Sequence, residues 1–97
     1  MRAETPLLVF FTDPTSGQAR RMESLLAHLE RKERARLRIT RVDVDDDPKL
    51  AERFEVETVP TLVLVKGKRV VARLEGRASA PRIERSIAPH LDELSHV

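Results

Sequence analysis

No cysteine occurs in these 97 residues, which excludes disulfides, thiolate metal sites and every reaction that needs a thiolate nucleophile. Tryptophan and tyrosine are absent too, and the three phenylalanines lie in apolar strand or helix contexts, so no aromatic platform offers itself to nucleic-acid bases. Apolar runs fall well short of the about 18 residues that a membrane span needs. The opening MRAETPLLVFFTDP lacks the basic stretch, apolar stretch and small-residue cleavage site of a secretory signal. No membrane and a cytoplasmic setting are therefore expected. A dominant charge is lacking as well: 18 Lys+Arg stand against 16 Asp+Glu, a net charge of +2, and that argues for no particular partner.

What is present suits one small domain, expected over residues 1–97 with its core between 6 and 91 and frayed ends. Pro6-Leu7-Leu8-Val9-Phe10-Phe11 is a short unbroken apolar run, as in a central strand covered on both faces. From Gly17 to about Arg34, Met22, Leu25, Leu26 and Leu29 fall at helical spacing, with Thr15 or Ser16 placed to cap the start. Leu37 to Val44 alternates, but its parity reverses at Arg41, which predicts a strand with an irregularity there. Asp45-Asp46-Asp47-Pro48 lacks the glycine and distal glutamate of a calcium loop, so Asp47 is read as the cap of a short helix, Lys49 to Phe54, and no metal site is assigned. Thr61 to Val65 and Arg69 to Leu74 are strands joined by Lys66-Gly67-Lys68, too tight for anything but an antiparallel hairpin. A last helix opens at Ser79-Ala80-Pro81, carries Ile83, Ile87 and Leu91, and is interrupted by Pro89.

The order β-α-β-α-β-β-α, with Val59-Pro60-Thr61 ahead of an apolar strand, the Lys66-Gly67-Lys68 turn, and Gly76 sixteen residues beyond Pro60, resembles the thioredoxin family from Pro6 to about Leu91. The resemblance implies an α/β, thioredoxin-like fold. Its four-stranded mixed sheet has order 2-1-3-4, the last strand pair runs antiparallel to the rest, and one helix covers one face and two the other. It implies a cis peptide at Val59-Pro60. Where the family carries Trp-Cys-Gly-Pro-Cys this chain has Thr15-Ser16-Gly17-Gln18-Ala19, so Ser16-Gly17-Gln18-Ala19 stands in place of the dithiol. The family's buried proton-carrying aspartate falls on Phe10 and its nearby lysine on Arg41, which shares a strand face with Asp43 and is expected to pair with it. The chain thus resembles a redox-inactive member that is not by itself a disulfide oxidoreductase.

No other catalytic machinery is legible. His28 lies twelve residues beyond Ser16 on one helix, roughly 18 Å away, and nothing brings His90 or His96 over it, so no catalytic residue is assigned. The leading function is a non-catalytic module binding a protein or peptide segment at Thr15, Ser16, Gly17, Gln18, Val59 and Pro60, with no cofactor. The alternative is a small-ligand binder or enzyme that holds an anion, such as glutathione's carboxylate or a phosphate, at the N-terminus of the first helix. Nucleic acid through Arg31 to Arg38 is the weaker case, because that run also reads as a solvated helix end and a guarded strand edge. The 37–44 strand is expected at an uncovered edge bearing Arg36, Arg38 and Arg41, where a homodimer is conceivable.

Overall fold

The structure is a computed structural model, and it describes residues 5–15 and 17–91. Its elements in chain order are β1 (Leu7–Thr12), α1 (Gly17–Lys32), β2 (Arg38–Asp43), α2 (Pro48–Arg53), β3 (Thr61–Lys66), β4 (Arg69–Glu75) and α3 (Ala80–Ile87). A 3₁₀ turn over Ala88–His90 follows, so Pro89 does mark the end of the last helix. Leu91 therefore lies outside α3, yet it still packs against the core.

The sheet has order β2-β1-β3-β4. β2 runs parallel to β1, β3 antiparallel to β1, and β4 antiparallel to β3. Only β3 is reversed, and the expectation that the last two strands both oppose the others is corrected: a hairpin must turn β4 back to the direction of β1. The hairpin turn sets Gly67 at φ +59° and Lys68 at φ +67°, the paired positive values that a two-residue turn needs to follow strand twist. Val65 pairs with Val70 and Leu64 with Ala72, which leaves Val71 as the extra residue of a bulge.

Because β1 and β3 are covered on both faces, their apolar runs need no alternation. Leu8, Phe10, Leu62 and Leu64 face α1 and α3, where they meet Met22, Leu26, Leu29, Ile83 and Ile87. Val9, Phe11 and Val63 face α2 and meet Ala51, with Phe54 stacked obliquely on Phe11 at 5.6 Å between ring centres. Directly paired residues share a face, so the α2 side is built in three rows across the sheet: Arg38-Leu7-Val65-Val70, Thr40-Val9-Val63-Arg73 and Val42-Phe11-Thr61-Glu75.

The irregularity expected at Arg41 is not there. β2 pairs with β1 in one unbroken register from Leu7–Arg38 to Thr12–Asp43. The parity reverses because the strand serves two cores: Ile39 belongs to the α1/α3 cluster and Val42 packs on the α2 cluster. Arg41 shares the side of Ile39 and meets α1, where it bonds Glu23 at 2.7 Å and Glu30 at 3.0 Å. The expected Arg41–Asp43 pair is thereby corrected. Asp43 instead accepts a hydrogen bond from the Asp45 backbone N–H at 2.9 Å and shapes the turn after β2.

Candidate functional site

Phe11 pairs with Thr61, so the chain leaving β1 and the chain entering β3 lie side by side, about 5 Å apart, at one end of the sheet. That register alone brings Thr15, Gly17 and Gln18 to the same end as Val59 and Pro60. Ser16 lies outside the described residues, as does His96. Thr15, Gly17 and Gln18 are exposed, Val59 is half-buried and Pro60 is buried.

The approach to α1 is set by Asp13. Its Oδ1 accepts hydrogen bonds from the Thr15 backbone N–H at 2.9 Å and the Thr15 hydroxyl at 2.8 Å. Those bonds, the backbone one foremost, hold the Asp13 carboxyl below its ordinary value of 3.8. Thr15 is therefore engaged in an Asx turn with its hydroxyl as donor. Ala19, where the second sulfur of the dithiol would stand, is 3 % exposed and packs in the α1/α3 core.

On the β3 side the Val59–Pro60 peptide is cis. Thr61 holds the loop from below: its hydroxyl donates to the Thr58 carbonyl at 2.7 Å, which satisfies a side chain with no exposed surface. Gly76, at φ +81°, donates its N–H to the Pro60 carbonyl at 2.8 Å and so ties the exit of β4 to the entrance of β3. Phe10 is 1 % exposed among Leu8, Met22 and Leu62, so an apolar side chain fills the position of the family's proton carrier. The site has no thiol, and the core behind it has no acid.

Two features of this end escaped the sequence reading. Arg73, on the α2 side of β4, donates to the Phe54 and Glu55 carbonyls, both at 2.6 Å, and to the Glu75 carboxylate at 2.9 Å. It thus satisfies main-chain acceptors at the end of α2, where Glu55 has φ +57°. A charged residue on a covered strand face was the available signal. Beside it opens a groove of about 800 Å³ lined by Val44, Ala51 and Val56 together with Glu52, Glu55 and Glu57. Among the described residues no group of three or more acidic or histidine side chains is placed to hold a metal ion, and no helix is long and apolar enough to cross a membrane.

The comparisons agree with this geometry. Residues 1–89 match the family described as Thioredoxin. Glutaredoxin-3 of Bos taurus is 29% identical over 90 residues, which is 93% of this chain but 26% of that protein. A thioredoxin-like protein of Synechocystis is 30% identical over 78 residues, 80% of this chain and 74% of its own length. Among solved structures, the germline-specific thioredoxin Deadhead of Drosophila melanogaster superposes with a TM-score of 0.83 at 27% identity, covering 89% of this chain and 81% of that one. The chain thus spans about a quarter of glutaredoxin-3 and most of the smaller relatives. Element order, strand register and the match over residues 1–89 converge: the chain belongs to the thioredoxin family, as a member with no cysteine.

Proposed function

We propose that this chain is a non-catalytic thioredoxin-like binding domain that holds an extended protein or peptide segment at the surface formed by Thr15, Ser16, Gly17, Gln18, Val59 and Pro60. One observation carries the reading: the redox parts are gone while the frame of the site is kept. Thiol exchange needs one thiolate to attack and another to resolve the mixed disulfide, and this chain has neither. Phe10 removes the buried acid in the same stroke. The loop from Thr58 to Pro60 is nevertheless pinned by Thr61 and Gly76, so its main chain is held in place for an extended partner. A frame retained without its reagent fits a holder of polypeptide, with the cis-proline loop as one wall of the groove.

Two measurements test this. In a dithiothreitol-driven insulin-reduction assay the purified chain is expected to give the rate of buffer; clear turnover would defeat the proposal. Amide spectra recorded during titration with thiol-free extended peptides are expected to shift at residues 13, 15–18, 58, 59, 61 and 76, and less so in Ser16→Asp. Shifts confined to other regions, or saturable shifts with glutathione or inorganic phosphate alone, would replace the polypeptide holder by another ligand.

A further inference from the structure

The far end of the sheet, opposite Pro60, carries a second surface. α2 stands over the second and third rows of its face, as the Phe54–Phe11 contact and the Arg73 bonds to Phe54 and Glu55 show. Beneath it Val9 is 4% exposed and Val63, Phe11 and Thr61 are fully buried at 0%. In the first row Leu7 and Val65 are only half-buried, and Val70 is 50% exposed, the only large hydrophobic so exposed among the described residues. Length explains the gap: a helix of six residues is about 9 Å long. The first and third rows are about 13 Å apart, so α2 cannot roof all three.

The rim of this uncovered row is basic. Arg38 occupies the same row, and the hairpin turn puts Lys68 two residues from Val70, whereas Arg69, paired with Lys66, faces the α1/α3 side. Neither Arg38 nor Lys68 is paired with a carboxylate among the described residues.

We propose that the row Arg38-Leu7-Val65-Val70 is a docking shelf for an acidic amphipathic segment of another protein, laid beside α2. The occupant must supply apolar side chains for Leu7, Val65 and Val70 and carboxylates for Arg38 and Lys68. A second copy docked by the same face would set these cations against their own kind, which is costly at an interface. A bilayer is too flat: α2, about 10 Å across, rises beside the shelf and would meet it first. A phosphate backbone would neutralise the cations and leave the apolar row in water. The shelf lies at the other end of the molecule from the Pro60 surface, so it stands or falls separately from that reading.

The test is a titration followed by methyl spectra, with an amphipathic helical peptide of about 16 residues bearing leucine on one face and glutamate on the other. A lysine counterpart, a DNA duplex and phosphatidylserine vesicles serve as competitors. Saturable shifts are expected at Leu7, Val65 and Val70, with affinity falling about tenfold or more in Val70→Glu and in the Arg38→Glu, Lys68→Glu pair. Val70→Ser, a milder change at an exposed position, guards against loss of folding and is expected to weaken binding with unaltered melting. Absence of saturable shifts, equal binding of the lysine peptide, a preference for duplex or vesicles, or concentration-dependent shifts without peptide would each overturn the proposal.

Discussion

Arg41 turns its guanidinium away from its own strand neighbours and places it between two glutamates about two turns apart on α1. Hydrogen bonding to Glu23 foremost, opposed by partial burial and aided by Glu30, raises its pKa above the ordinary value, so it stays charged at every working pH. About a third of that side chain and over two fifths of each glutamate remain in water, so solvent screening keeps the contribution small. Arg41→Ala is expected to lower stability by roughly 0.5–1 kcal/mol in urea unfolding, with the loss shrinking as salt is raised. Asp13 acts in the other direction of pH. Its folded pKa is depressed, so the stabilisation from the Thr15 turn is present above the unfolded value and fades as pH falls through the folded one. A carboxyl titration by carbon-13 spectra should place the Asp13 midpoint below 3.8, and Thr15→Ala, which removes the hydroxyl donor but keeps the backbone one, should move it only part of the way back.

Among the elements, the hairpin, both capped helices and the two central strands were legible because each is fixed by local chemistry. Gly67 permits a positive φ, Asp47 accepts from the Leu50 N–H at 3.2 Å, and Ser79 accepts from the Arg82 N–H at 3.4 Å. β2 departs from its expectation at Arg41 because hydrophobic parity marks a single face only where one face is covered, and this edge strand lies between two helical layers and reports on both. Arg36 and Arg41, expected to guard that edge, bond to Glu33 and to α1, which leaves Arg38 exposed at the edge. The anchorage of α2 was invisible for a related reason, since a carbonyl that needs a donor leaves no mark on its own residue. Arg73→Ala should unmoor the end of α2, costing about 2–3 kcal/mol because charge-assisted bonds to two main-chain oxygens are lost together. Urea unfolding measures the cost, and faster hydrogen exchange at residues 51–56 would place it.

For the molecule as a whole, the two sides of the sheet are unequal. Among the described residues, fourteen buried ones form the α1/α3 cluster and four form the α2 cluster. The smaller side is expected to open first, so amides of α2 should exchange at lower opening free energy than those in the middle of α1, in a native-state hydrogen-exchange series. The candidate site was readable only as far as its residue types allowed. Missing sulfur settles what chemistry is impossible, and the element order tells which loops converge, but no residue in sequence announces that Thr15 is engaged with Asp13 or that Ala19 is buried. Net charge concealed a further division. The Lys66–Arg69 hairpin and Arg38 fall at one end of the strands, while Asp13, Asp43, Glu57 and Glu75 gather towards the other.

The amide of Gly76 donates to the carbonyl of Pro60, and that single bond spans the seam between the loop before β3 and the strand end after β4. Any parting of those two segments must break it. One resonance, with its temperature coefficient and deuterium half-life, is therefore an internal gauge of how often the cis-proline loop lifts from the end of β4, readable without a label or a ligand.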